Sequence, residues 1–390
     1  MTRTADVVVV GAGVIGASTA FHLAERGAGR VLVVDRARAG EGMSGRSSAL
    51  VRLHYSFPAE VRLALLSRQM FERWNDVVGA PGDFRATGFV RIVPEHEADL
   101  LRRNVEMQRD LGADAQVITA AELKELEPDW NVEDVAAAAW EPGSGYGDGA
   151  GVASDFMAAA RGRGIEYLPD TPVRALRVDR GGSRVTGITT DGGDVEAGVT
   201  LVAANVWSPV LLRTAGVELP IEAEYHQTVI LKNPDGMKPG GASCIDSITA
   251  CYFRSERPDM TLVGGFYGPR GMDPDALPAT TDDETVGELV AAAARRIPAL
   301  EYAGIVRGIT GLYDTSPDFR PLLGAAPGVD GLLVAIGFSG MGFKIAPAVG
   351  RCLAELILDG RATAVDLHAF RPSRFAEGEP IKAEFEYEDD

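Results

Sequence analysis

Asp6-Val7-Val8-Val9-Val10-Gly11-Ala12-Gly13-Val14-Ile15-Gly16 reads as a buried strand entering a glycine-rich turn, and Arg30-Val31-Leu32-Val33-Val34-Asp35 answers it after a helical stretch that ends at Gly27. Strand, turn, helix and second strand make a dinucleotide-binding βαβ unit. Gly11 permits the tight turn, Gly13 lets backbone approach a pyrophosphate, and Gly16 lets helix and sheet pack closely. Val14 and Ile15 open the helix, whose unpaired N–H groups favour phosphate. Asp35 is expected to face ribose hydroxyls, with Arg36 beside it. The nucleotide itself is still open at this point.

A chain of 390 residues, 46% of them hydrophobic, is large enough for two domains with sizeable cores. Its 46 glycines and 22 prolines suit a turn-rich α/β enzyme rather than a fibrous or disordered chain. The formal charge of −18 opposes binding to nucleic acid or to anionic membrane, and no basic run offsets it locally. The apolar opening is interrupted by glycines and followed by His22 and Glu25, so it is not read as a signal peptide, and no segment reads as a membrane span. Cys244, Cys251 and Cys352 form no C-x-x-C pair, and the five histidines lack metal-ligand spacing. These features predict a cytoplasmic protein with no metal site; oligomeric state stays open.

Beyond Asp35, the small and polar run Ala39–Ser48 reads as a cofactor-lining loop, with Ser44, Gly45, Ser47 and Ser48 as candidate contacts. Pro58 opens a helix with Val61, Leu65, Leu66, Met70, Trp74 and Val77 on its apolar stripe, ending at Gly79. Thr119 and Glu122 predict a capping box. Gly143–Gly149 reads as a flexible connection, and Ser154 as the cap of a helix to Gly162. Runs from Val173 to Ala204 form a three-stranded meander that ends in Ala203-Ala204-Asn205-Val206-Trp207-Ser208, a second place where backbone meets a nucleotide. Leu219 to about Ile309 reads as a separate sheet with a helix from Thr285 to Ile297. Then Gly331–Ile336 leads into Gly337-Phe338-Ser339-Gly340-Met341-Gly342-Phe343-Lys344 and a helix ending near Gly360. The tail from Glu377 is acidic and reads as solvated or disordered.

Three glycine-rich strand-to-helix junctions exceed what one nicotinamide-binding half requires, and they suggest FAD. Their order resembles the flavoprotein family of D-amino acid oxidase, glycine oxidase and, most closely, monomeric sarcosine oxidase and its dehydrogenase relatives. The resemblance covers almost the whole chain and is most specific at Gly337–Lys344, which is similar to the family's flavin-side loop. It implies an α/β fold with a Rossmann-like FAD-binding domain (1–80, 150–215 and 316–375). A discontinuous α+β substrate domain with a mostly antiparallel sheet (81–149 and 216–315) and a tail (376–390) complete it.

Carried over residue by residue, the resemblance places Arg52 and Lys344 as a pair holding a substrate carboxylate, and Tyr55, Tyr313 and Tyr252 as aromatic walls. Val173, Ala203, Ala204, Trp207 and Gly311 join the cofactor contacts. Two departures stand out. Gly311 occupies the place where covalent members carry a cysteine, and no histidine lies in Arg46–Ser48, so the FAD is expected to be noncovalent. Leu262 replaces the lysine with which oxidases assist O₂, and Phe266 a nearby histidine, so the acceptor is either O₂ or a quinone or carrier protein. The implied reaction is oxidation of a small carboxylate-bearing amine, a secondary one such as sarcosine. Primary amino acids (glycine or a D-amino acid) and 2-hydroxy acids are the alternatives within enzymes. A flavin-carrying subunit of an electron-transfer complex is the alternative of another class, and an NAD-dependent dehydrogenase a third reading.

Overall fold

Val7 and Val9 face one apolar core and Val8 and Val10 another, so the first strand is buried on both sides, as a central parallel strand requires. The computed structural model describes residues 3–238 and 240–387. Among the described residues the strands form two large sheets and one two-stranded ribbon. The first runs in the order Leu322–Ala325, Leu332–Ile336, Gly193–Val202, Arg3–Val10, Val31–Val34, Glu166–Leu168. Its pairings from Leu332–Ile336 through to Glu166–Leu168 are all parallel, Leu322–Ala325 adds an antiparallel edge, and the meander strands Val173–Val178 and Val185–Thr190 continue antiparallel from Gly193–Val202. Helices Val14–Glu25, Gly149–Gly162 and Gly342–Asp359 cover the face that carries Val7 and Val9.

Parallel strands that end together leave a cleft at their carboxyl ends. Here the close approach is between Gly11 (φ +109°) and Ala203, whose carbonyl oxygen would stand 2.4 Å from a Cβ on Gly11. A Cβ on Gly16 would in turn meet the Gly11 oxygen at 1.9 Å, so the turn and the first helix turn are packed to backbone contact.

The second sheet runs Gly304–Thr315, Glu222–Lys232, Met260–Gly265, Cys251–Arg257, Ser243–Asp246, Phe89–Ile92, Ala138–Glu141, Gln116–Ile118. It is antiparallel apart from the Ser243–Asp246 pairing with Phe89–Ile92. Helix Asp283–Arg296 packs on one face through Val286, Leu289 and Ala293, leaving the other face to the site.

Several local expectations change. The helix after the glycine-rich connection starts at Gly149, because Asp148, not Ser154, accepts the free N–H of Ala150; Ser154 lies mid-helix. The connection is ordered, since Gly145–Tyr146 pairs with Leu50–Val51 in the two-stranded ribbon. The Pro58 helix stops at Glu72 and a short helix Trp74–Val78 carries the chain to Gly79. The helix of the second sheet is capped by Asp282 and spans Asp283–Arg296. The Thr119–Glu122 capping box forms as expected. The acidic tail is solvated only in part: residues 377–380, Lys382 and Glu384 are exposed, but Ile381 and Tyr387 are buried, and Ile381 N–H donates to Asp318. Residues 1, 2, 239 and 388–390, including the last three of that tail, lie outside the described residues. Among the described residues no helix is long and apolar enough to cross a membrane.

Glu141, at the end of its strand, ties the second sheet to the segment that bears Arg52. Its carboxylate accepts from Leu53 N–H at 2.8 Å and from Ser144 Oγ at 2.6 Å in a fully buried setting. Burial pushes this carboxyl up to about 7, against those two donors and the nearby Arg52 and Arg68. A carboxyl raised above its unfolded value favours the fold below the ordinary range near 4.5 and loses that contribution as pH climbs through about 7. Glu141→Gln keeps an acceptor for both donors but cannot ionise. The difference in melting temperature, variant minus parent, should therefore grow between about pH 5 and about pH 8; a pH-independent difference would show that Glu141 does not titrate there.

Candidate functional site

A cleft of 780 Å³ opens at the carboxyl ends of the first sheet, lined by Gly11, Gly13, Val14, Ile15, Asp35, Arg36, Ser44, Ser47, Ser48, Val173, Ala203, Ala204 and Trp207. That volume lies in the range of cofactor pockets and exceeds what a small amine needs. Gly311, Phe338, Gly340, Gly342 and Phe343 line its inner end. Gly13 ends at the amino terminus of helix Val14–Glu25 without a side-chain cap of its own, so those N–H groups face the cleft. In this structure Ser44 Oγ accepts from Val14 N–H at 3.0 Å. Asp35 lines the cleft, but its carboxylate accepts from Ala12 and Ala37 N–H at 2.6 and 2.8 Å, so it braces the turn. Burial raises that carboxyl above the usual range.

Six predicted cofactor residues do not line the cleft. Gly16 packs against the Gly11 oxygen, Gly45 is exposed against Gly40, and Gly337 is buried behind the loop. Ser339, Met341 and Lys344 face a second cavity instead.

This second cavity, of 170 Å³, is lined by Arg52, Tyr55, Tyr252, Tyr313 and Lys344 together. It meets the large cleft at Ser48, His226, Tyr252, Tyr313 and Gly340, which line both. Gly340 (φ +86°) is where the wall presses on the loop: a Cβ there would stand 2.5 Å from the Tyr313 ring. Burial raises the phenols of Tyr55, Tyr252 and Tyr313 above their usual range, so all three present neutral surfaces.

Arg52 and Lys344, which both line the cavity, are not alike. The Arg52 guanidinium stacks 4.2 Å over the Tyr55 ring and donates to the His54 carbonyl, while its buried Nε has no hydrogen-bond partner. Lys344 is buried at the third position of its helix and its Nζ donates to the Gly340 carbonyl at 3.2 Å. Burial, with Arg52 close by, pushes the Lys344 amine well below its ordinary range. A carboxylate between them would favour the charged form of the lysine.

Sequence reasoning missed two acids and a base. Asp314 accepts from Gly337 N–H at 2.7 Å and Phe338 N–H at 3.2 Å, holding the flavin-side loop against the second sheet. Burial pushes its carboxyl up to about 7. His226 sits opposite Gly311 across the strand pair and stacks on Tyr313 at 3.7 Å, with Glu224 Oε1 3.2 Å from its Nε2. The available signal was alternation: Gly311 and Tyr313 share one face of their strand, and His226 and Glu224 stand opposite them in register. Leu262, which the resemblance sets where oxidases carry a lysine, is buried beside Tyr252 in an apolar cluster, and Phe266 lines the small cavity. Among the described residues no cluster of His, Cys, Asp and Glu is placed to hold a metal ion.

FAD fits what is present: a helix terminus facing the cleft, a glycine turn packed to backbone contact, and a volume suited to a dinucleotide. The FAD dependent oxidoreductase (DAO) family matches residues 6–356. Mitochondrial sarcosine dehydrogenase of Homo sapiens is 28% identical over 386 residues, which cover 96% of this chain and 42% of that protein. The chain therefore spans less than half the length of that relative. Glycine oxidase of Geobacillus kaustophilus (strain HTA426) is 28% identical over 382 residues, 96% of this chain and 98% of that one. The crystal structure of L-proline dehydrogenase from P. horikoshii superposes with a TM-score of 0.89 at 28% identity, over 98% of this chain and 100% of that one. With a βαβ cradle, a second sheet over the inner end of the cleft, and a family match from Asp6 to Leu356, the chain belongs to the FAD-dependent oxidoreductases of the DAO family.

Proposed function

We propose that the chain oxidises the C–N bond of a small amino acid with a secondary, N-alkyl amine, sarcosine being the simplest, to an imine that water hydrolyses. The observation that carries this reading is the opening of a small, tyrosine-walled cavity holding Arg52 and Lys344 onto the inner end of the cofactor cleft. Bound FAD supplies the hydride acceptor at its N5. The protein's part is to fix the substrate. Arg52 offers a guanidinium edge and Lys344 a point charge to the carboxylate, each charge-assisted bond contributing about 1.5–3 kcal/mol. With the carboxylate held, the C–H bond is directed at the junction between the cavities, an orientation effect that lowers a barrier by about 7–11 kcal/mol in favourable systems. Tyr55, Tyr252 and Tyr313 exclude water and enclose the N-alkyl group, and His226 is a base lining both cavities.

The electron acceptor is proposed to be a quinone or carrier rather than O₂, supported by apolar Leu262 and Phe266 where oxidases carry cationic groups. The FAD is proposed to be noncovalent. Cys244, Cys251 and Cys352 are buried and none lines either cavity, and Gly311 stands on the cleft.

Anaerobic addition of N-methyl, primary and hydroxy acids to the FAD-loaded chain tests the reading directly. N-methyl amino acids should bleach the flavin band fastest, with reoxidation faster by a quinone or dye than by air. A chain bleached by none of the panel is a carrier subunit, and one bleached first by primary or hydroxy acids belongs to the alternative enzyme reading.

Arg52→Ala and Lys344→Ala should each raise KM by about 10- to 150-fold, the size of one charge-assisted bond, while flavin content stays the same. Because the Lys344 amine is held below its ordinary range, affinity for a small carboxylate should fall as pH rises through its titration, and Lys344→Ala should flatten that slope. Loss of FAD from either variant would assign these residues to the fold instead.

Acid precipitation of the loaded protein should leave the yellow colour in the supernatant. Colour retained in the pellet would require a covalent bond and overturn the noncovalent assignment.

A further inference from the structure

The outer wall of the small cavity includes His54, Arg91 and Arg320, and none of the three is held by its own strand or loop alone. Tyr387 reaches them from the far end of the chain. Its hydroxyl lies 2.8 Å from His54 Nε2, and its ring stacks on the imidazole with centroids 5.8 Å apart and planes at 21°. The Arg91 guanidinium sits 4.9 Å over the same ring. Next to it, Glu386 Oε1 is 3.3 Å from Arg320 Nη2, and Glu60 meets Nε of that arginine at 3.0 Å. The segment is pinned on approach: Asn104 Nδ2 donates to the Phe385 carbonyl at 2.8 Å, and Arg103 lies 5.5 Å over the Phe385 ring.

Tyr387 is 4% exposed, although it lies in a strongly acidic stretch that composition alone would leave in water. Neither Tyr387 nor Glu386 lines the cavity. Tyr387 touches His54 and Arg91, and Glu386 touches Arg320, all three of which do. An apolar ring between an imidazole and a guanidinium fixes the orientation of both, and a carboxylate on one fork of Arg320 fixes the other fork.

We propose that the Phe385–Tyr387 segment is a strap that positions His54, Arg91 and Arg320, and so sets how tightly the small cavity holds its acid. This rests on the cavity being the substrate site. Tyr387 is a positioning residue: it acts through the wall and leaves the cofactor cleft untouched.

The test uses the full-length, FAD-loaded chain and three variants, Tyr387→Ala, Tyr387→Phe and Glu386→Gln. Acetate, which carries no C–N bond to oxidise, is titrated against each while the flavin spectrum is followed; sarcosine is then added without air. Tyr387→Ala should weaken acetate binding by about five- to thirtyfold and raise the half-saturating sarcosine concentration by a similar factor, as expected for a lost hydrogen bond and cation–π contact. The limiting bleaching rate and flavin content should hold. Tyr387→Phe, which keeps the ring, should fall between parent and Tyr387→Ala, and Glu386→Gln should show a smaller loss. Unchanged acetate affinity in all three variants overturns the strap, as does a fall in flavin content parallel to the loss of affinity, which marks a purely structural role. If sarcosine bleaches no form, the substrate assignment fails while the acetate titration still decides the strap.

Discussion

One buried carboxylate joins the two halves of this molecule. Asp314 lies one residue after Tyr313, on a strand of the second sheet, yet its side chain accepts N–H groups from the glycine-rich loop that leaves the first sheet. Strand alternation makes this possible, since Tyr313 faces the cavity and Asp314 faces the loop. The wall of the small cavity and the inner end of the cofactor cleft are thereby built on adjacent residues and cannot drift apart independently. A carboxyl this deeply buried costs free energy to ionise, which is why its proton affinity rises to about 7 even with two donors on it. The loop backbone offsets part of that cost, and in exchange its own N–H groups are satisfied where no water reaches.

The same tension between burial and charge runs through the small cavity. A chain of net charge −18 repels anions at long range, so an acid must be captured by local cations. Two cations placed side by side away from solvent oppose each other, and the chain resolves this unevenly. Arginine keeps its charge at any accessible pH, while the buried lysine yields. An acid bound beside them would raise the lysine's proton affinity, and its charge would supply part of what desolvation removed. The cavity's phenol walls, all neutral, keep the dielectric low and leave that attraction unscreened.

Much of this was legible in the chain. The Asp6–Gly16 run and the Gly337–Lys344 run decide the first sheet and its cleft because each needs glycine at fixed offsets, and few other structures require that spacing. Arg52, Lys344 and the three tyrosines were found through motif position, and the fold brings them into one cavity. The residues that stayed hidden are those whose role depends on pairing across the sheet. His226 means nothing until Gly311 is known to lie opposite it, and Asp314 reads as an ordinary strand acid until the loop is brought against it. The cap of the Gly149–Gly162 helix went to Asp148 because an aspartate at the true boundary outcompetes a serine five residues inside. The tail was misjudged because its charge masks Ile381, Phe385 and Tyr387, three anchors too widely spaced for any helical or strand period to reveal.

Cofactor retention follows from magnitudes rather than from any single clasp. At the outer end of the cleft, Arg36 stacks 3.9 Å over the Trp207 ring and pairs with Asp275 at 3.0 Å, and Trp207 Nε1 donates to the same carboxylate at 2.9 Å. This bridge links the nucleotide sheet to the segment after the second sheet's hairpin, and it invites reading as a lock. Both charged partners are largely in water, however, and an exposed pair contributes about 0–1 kcal/mol. Holding FAD by the noncovalent attachment proposed above requires far more than that. It must come from the inner parts of the cleft: the helix terminus beside Gly13, the backbone contact of Gly11 with Ala203, and the loop that Asp314 holds. The outer bridge orders the rim, while the buried backbone does the holding.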